Sequence, residues 1–278
     1  YQMEEILGAL PAGSQAGRTA VDVALHDLLG KKLGLPLYRL WGLNPRSAPE
    51  TSYTLSIGSV EEVQAKAVEA AKTFSILKLK LDAEHSLDLV RAVREVTAAR
   101  LVADANCGWS EAQTLELLPA LADLGLEWLE QPLPEEDLEG LRRVREASPL
   151  PSFADEPVRT ARDIVRLAGC EDGVNIMVMR AGGLREARRM IAVARAHDLQ
   201  VMLGCMIETS LGITASAHLA PLVDWADRDG NLTVTNDPFI GVRVEQGRLV
   251  LPEGPGLGVE ARPTPLSESA PAPRAESA

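Results

Sequence analysis

The spacing of hydrophobic residues changes near residue 50. Before it, "RTAVDVALHDLLGKK" places Ala20, Val21, Val23, Ala24, Leu25, Leu28 and Leu29 mostly three and four residues apart, the period of a helix with one buried face. Gly34 and Pro36 close it, and His26 within it reads as a structural residue. Beyond residue 50, short apolar runs alternate with longer amphipathic segments. Strands are predicted near 52–57, 75–80, 100–104, 126–130, 151–154, 173–178, 200–204 and 222–226. Helical periodicity fills the intervals, as in "EEVQAKAVEAAKTF", "SLDLVRAVREVTAA", "EAQTLELLPALADL" and "LREARRMIAVARAH".

Strands alternating with helices imply parallel strands joined by right-handed crossovers. Eight such units, about 25 residues apart, are the number at which a sheet closes into a (β/α)8 barrel, so the predicted fold class is α/β with a TIM-like barrel. A doubly wound open sheet is the alternative, but no G-x-G-x-x-G follows the first strand.

Composition narrows the function. The chain has 278 residues, 46% hydrophobic and 24% charged, enough for one such domain. A formal charge of −12 and the lack of a basic run argue against a nucleic-acid partner, whose phosphates are neutralised by Lys and Arg. No apolar stretch reaches the roughly 18 residues of a membrane span, and the expectation is a protein without a signal peptide. The three cysteines, Cys107, Cys170 and Cys205, are far apart and form no C-x-x-C pair, which fits reduced thiols in a cytoplasmic protein.

Chemistry gathers at strand ends. Asp104 ends the third predicted strand, Glu130 the fourth and Asp155 the fifth, so a barrel brings these carboxylates to its C-terminal rim, where barrel active sites lie. Convergent carboxylates repel unless protons or a cation lie between them. Hard oxygen donors with no His or Cys point to Mg²⁺, with Mn²⁺ next; the plainer alternative is that each acid caps the helix after it. In "LKLKL", Lys78 and Lys80 stand two apart and face the same side of their strand. Inside a barrel this is costly unless both reach the site; on an edge strand it is only a solvated face. A cation that grips a substrate carboxylate acidifies the adjacent C–H, and Lys80 is placed to take that proton.

These residues resemble the enolase superfamily, and within it the muconate-lactonizing-enzyme-like subgroup that includes the dipeptide epimerases. The likeness runs through "LKLKL", "DANCGW", "LEQPL", "ADEP", "MRAGGL", "GCMIETSLGIT" and "DRDGNL…NDPF", in order, over nearly the whole chain up to its tail. It implies a lysine base working with Mg²⁺: Lys80 as the base, Lys78 as a cationic helper near the substrate carboxylate, and Asp104, Glu130 and Asp155 as metal ligands. Asn106 and Glu156 match supporting positions beside them, and Glu208 matches a polar position at the rim. Asp227 and Asp229 resemble the D-x-D that holds a dipeptide's ammonium group, although "DRDG" alone reads equally as a turn.

One position departs from the pattern. The resemblance implies a second catalytic lysine ending strand six, in a segment like NIKxxxxGG, facing the other side of the substrate carbon. Here the segment is "NIMVMRAGG", and Met177 stands in that place. Arg180 lies three residues on, but a guanidinium stays protonated and serves poorly as a base. The expectation is a Mg²⁺-dependent isomerase of dipeptide-epimerase type, impaired or altered. The alternatives are an enzyme needing Lys80 alone, of o-succinylbenzoate synthase or muconate cycloisomerase type, and a non-catalytic carboxylate or metal binder. Mandelate-racemase-like chemistry is disfavoured, because "VMLGCM" places no His on strand seven.

The expected domains are residues 1–50, resembling the last helical part of the superfamily's N-terminal capping domain; 51–236, the barrel; 237–262, a return to the cap; and 263–278, a disordered Pro/Ala/Ser/Glu tail. The start at Tyr1, with helical sequence almost at once, leads to the expectation that the natural protein continues upstream with the sheet of that cap. A small carboxylate substrate, a dipeptide above all, and a homo-oligomeric assembly are what the resemblance implies for partners.

Overall fold

A computed structural model describes residues 2–11, 13–82 and 84–263; all but the first residue of the expected tail lies outside them. The chain opens with helices α1 (Met3–Ala9), α2 (Gln15–Leu33) and α3 (Leu37–Leu40). It then alternates β1 (Tyr53–Leu55), α4 (Val60–Ala70), β2 (Ile76–Lys80), α5 (Ser86–Val96), β3 (Arg100–Asp104), α6 (Glu111–Asp123), β4 (Leu126–Glu130), α7 (Leu138–Ala147) and β5 (Ser152–Ala154). The alternation continues with α8 (Ala161–Leu167), β6 (Gly173–Met177), α9 (Val178–Ala181), α10 (Leu184–Ala196), β7 (Gln200–Gly204), α11 (Ser210–Ala217) and β8 (Trp225–Ala226). Short antiparallel pairs come last, among β9 (Phe239–Ile240), β10 (Arg243–Glu245), β11 (Arg248–Val250) and β12 (Glu260–Ala261). Among the described residues no helix is long and apolar enough to cross a membrane.

Local sequence explains these starts and stops. Ser59 with Glu62 and Ser110 with Gln113 form reciprocal capping boxes at α4 and α6, which satisfy backbone donors that a helix start leaves unpaired. Strands β2 and β6 are buried along nearly their whole length, as expected when helices cover a parallel sheet. The predicted strand at 222–226 shrinks to Trp225–Ala226, because Ala220–Leu222 is a 3-10 turn carrying Pro221, which has no N–H for a ladder.

Strands β1 to β8 lie in sequence order in one parallel sheet. Thr51 bridges Ala226 in parallel, and Ser52 N donates to Ala226 O at 2.9 Å. That seam joins the first and last strands, so the sheet closes and the doubly wound alternative falls.

The period of two then sorts the interior into layers. Ile76, Val102, Trp128, Phe153 and Met202 pack together as an apolar plug. Two residues further along the same strands stand Lys78, Asp104, Glu130 and Asp155, all buried. Gly173 makes room for the plug: a Cβ there would lie 2.3 Å from the Phe153 ring. Gly204 does the same for the polar layer, since its Cβ would meet Asn175 Oδ1 at 2.3 Å.

Candidate active site

A cavity of about 430 Å³ opens at the C-terminal ends of the strands. Its lining includes Lys78, Lys80, Asp104, Asn106, Asp155, Glu156, Met177, Arg180, Asp227 and Asp229; Glu130 lies beneath it, fully buried. Lys78 and Lys80 point the same way, as their spacing requires.

Lys78 is the hub of the polar layer. Its Nζ lies 2.6 Å from Glu130 Oε2, 2.9 Å from Asp227 Oδ2 and 3.3 Å from Asp104 Oδ2. Burial works against the charged amine, but the carboxylates of Asp227, Glu130 and Asp104 outweigh it and hold Lys78 well above the ordinary lysine value. Asp104 and Asp227 are likewise held low against their burial, chiefly by Lys78. Glu130 goes the other way: burial first, then the Asp104 charge, push its carboxyl up. The layer is therefore an ionised lysine between ionised aspartates, with Glu130 as the member most inclined to hold a proton. Asn175 Nδ2 donates to Glu130 Oε1 at 2.7 Å.

Lys80 reaches further toward the opening. Its Nζ donates to Asp104 Oδ2 at 2.6 Å and to Asn106 Oδ1 at 2.8 Å. Asn106 has φ 44° and Cys107 φ 62°, left-handed backbone that Asn tolerates better than most residues, and the turn folds Asn106 N back onto Asp104 Oδ1 at 2.9 Å. Asn106 Nδ2 also donates to Glu156 Oε1 at 3.3 Å, while Glu156 Oε2 is buried without a partner. Gln131, buried beyond β4, donates to Leu133 O and accepts from Asp155 N at 2.8 Å, which fixes the chain where Asp155 leaves β5.

Asp155 pairs with Arg180. Burial nevertheless dominates and pushes its carboxyl up to about 6. Across the cavity, Asp227 Oδ1 accepts from Ser52 Oγ at 2.7 Å and Asp229 Oδ2 from Thr54 N at 2.6 Å. Burial and the neighbouring Asp227 charge push Asp229 up to about 6. The two acids of "DRD" thus differ: Asp227 pairs with the Lys78 amine, whereas Asp229 is held by a backbone N–H.

Asp104, Glu130 and Asp155 suit a hard divalent cation by donor type and by position, on successive strand ends. Burial is the first cause of the upward shifts of Glu130 and Asp155, each of which keeps a cationic partner. Among the described residues no group of three or more His, Cys, Asp or Glu stands at metal-holding spacing; Lys78, Lys80 and Arg180 pair with the carboxylates of Glu130, Asp104 and Asp155.

Met177 ends β6 and lines the cavity, 8% exposed, where a thioether neither takes nor gives a proton. Glu208 is not brought to this cavity: its Oε1 accepts from Met206 N at 3.2 Å, and it lines a neighbouring groove beside α2. Ser52, Thr54, Asn175 and Gln131 escaped the sequence reading. A lone Asn in the apolar run "GVNIM" and hydroxyls alternating in "TSYTLS" were the available signals.

Residues 61–264 match the family described as enolase C-terminal domain-like. The L-Ala-D/L-Glu epimerase of Bacteroides thetaiotaomicron is 42% identical over 93% of this chain and 69% of its own length. The substrate-liganded L-Ala-D/L-Glu epimerase of Bacillus subtilis superposes with a TM-score of 0.89 at 35% identity, covering 94% of this chain and 77% of that one. The dipeptide epimerase of Cytophaga hutchinsonii, solved with Mg and D-Ala-L-Val, gives 0.89 at 29% identity over 95% and 76%.

Proposed function

Since this chain belongs to the enolase C-terminal domain-like family, we propose that it removes the proton next to a carboxylate of a dipeptide, with Lys80 as the base. The observation that carries this reading is the placement of Lys80 beside Asp104, at one rim with Glu130 and Asp155. Asp104, Glu130 and Asp155 would hold Mg²⁺, with Mn²⁺ as the alternative; when bound, the ion neutralises the charge that proton loss leaves on the substrate carboxylate. Asn106 orients the Lys80 amine through its Oδ1. Asp229 receives the substrate ammonium, and Lys78 keeps the floor of the site electrically balanced. The three free thiols are in keeping with a reducing, cytoplasmic setting.

Met177 restricts the chemistry to one face of the substrate. Epimerisation by two bases takes a proton from one face and returns one to the other, and residue 177 supplies neither. The reading is a one-sided site that exchanges the α-proton of one isomer much faster than that of the other. The same residue favours a second reading, chemistry of the cycloisomerase or syn-elimination kind that needs Lys80 alone.

Residues 1–50 and 237–262 act as one unit in this proposal, the lower part of a cap. Leu37 N donates to Gly256 O at 3.0 Å, and Leu257 N donates to Asp27 Oδ1 at 2.9 Å, so the return segment is stitched onto α2 and α3. The test is α-proton exchange into D₂O with MgCl₂, monitored by NMR for the L,L and L,D forms of Ala-Glu. Exchange that is lost in Lys80→Ala and is strongly unequal between isomers is expected. Exchange that survives Lys80→Ala, or runs equally from both forms, would overturn the reading.

A further inference from the structure

The acid pair follows a strand that its own backbone holds only briefly. Strand β8 has two residues and pairs with β7 only at Met202 with Trp225 and Leu203 with Ala226. Asp227 and Asp229 come directly after it, at the seam with β1. The backbone bonds to β7 end at Asp227, whose N donates to Leu203 O at 3.0 Å, so the aim of Asp229 rests on other contacts.

Arg228 lies between them, and the period of two sends its side chain away from the cavity. It is 1% exposed. Its guanidinium donates to Gly204 O at the end of β7, to Ser216 Oγ in α11 and to Ile213 O at 3.4 Å. Its backbone N donates to Thr51 Oγ1 at 2.7 Å across the seam. Among the described residues no carboxylate stands at ion-pair distance from it, and its Nε has no partner. A buried charge without a counter-ion is costly, and an apolar side chain would fill the same space more cheaply. What a guanidinium adds is a rigid planar fork that can bind two elements at once.

We infer that Arg228 is a positioning residue for the substrate ammonium: by tying residues 227–229 to β7 and α11, it holds Asp229 aimed into the cavity. From the cavity side, Thr54 N grips Asp229 and Ser52 Oγ grips Asp227; toward the wall, Asp227 N donates to Leu203 O at 3.0 Å, and Arg228 adds the side-chain tie that reaches both β7 and α11. The inference rests on the reading of Asp229 as the ammonium site.

The test compares the calorimetric Kd of L-Ala-L-Glu with that of its N-acetyl derivative, which lacks the ammonium, in MgCl₂. The wild type is expected to prefer the free dipeptide, and Arg228→Met is expected to reduce that preference about tenfold, the worth of one charge-assisted contact. Arg228→Lys should restore part of it, and Ser216→Ala should weaken it by a smaller factor. A loss of stability alone would weaken both ligands together and leave the ratio unchanged. Where Arg228→Met fails to fold, the Lys and Ser216→Ala variants decide, and an unchanged ratio in both overturns the inference. A wild type that binds both ligands alike overturns the ammonium reading and the inference with it; preference retained in every variant overturns the inference alone.

Discussion

Lys78 Nζ lies 2.6 Å from Glu130 Oε2, with both side chains shut away from solvent. This contact joins the hub cation of the barrel to a carboxylate whose affinity for a proton burial has raised, and it makes the site a structural element as well as a chemical one.

Replacing Lys78 by Met leaves Asp104, Glu130 and Asp227 facing one another in the interior. A stability loss of about 3–5 kcal/mol is expected, the usual result of orphaning buried charge. Urea unfolding monitored by far-UV circular dichroism measures it. A loss below about 1 kcal/mol would show that the carboxylates are satisfied without the amine.

Met177→Lys restores a proton carrier at the end of β6. Exchange from the slower isomer is expected to rise by about 10²-fold, within the usual range for a positioned general acid or base. NMR exchange in D₂O reads this directly. A folded variant with unchanged rates for both isomers would mean that residue 177 does not face the substrate carbon.

Magnesium should raise the unfolding temperature relative to EDTA, since a ligand at a hundredfold excess over its Kd stabilises by about 2.7 kcal/mol. Glu130→Gln and Asp155→Asn are expected to shrink that rise. If both variants shift as much as the wild type, the ion binds elsewhere.

Glu171, 1% exposed just before β6, makes a pH prediction at the opposite end of the barrel. Burial pushes its carboxyl up to about 8. The folded state therefore keeps a proton that the unfolded state releases near its ordinary value, about 4.3, and stability falls as pH rises between those two values. Glu171→Gln removes that slope, so it should be more stable than the wild type at about pH 9, by on the order of a few kcal/mol, and nearly equal to it at about pH 4. Parallel pH profiles for the two proteins would refute this.

Legibility tracked the range of the interactions. Strands β2 to β7 fall within a residue of their predicted positions, because an unbroken apolar run covered by helices is a local signal. The placement of Asp104, Glu130 and Asp155 at strand ends was equally plain, as was the shared face of Lys78 and Lys80. Strand β8 starts later than predicted, because the 3-10 turn Ala220–Leu222, with Pro221, takes up the beginning of the apolar run. Glu208 was placed at the rim by motif, but the loop after β7 turns its carboxylate onto its own backbone.

The sequence by itself determined which residues could enter the barrel interior, since a side-chain period of two and a count of eight strands are written in local order. Only the tertiary structure decided their partners. Lys78 meets Asp227, 149 residues away, because closure at Thr51 and Ala226 returns β8 to the side of β1 and β2. Electrostatic pairing depends on distance in space, and that distance is set by closure of the sheet, to which no single segment of the chain holds the key.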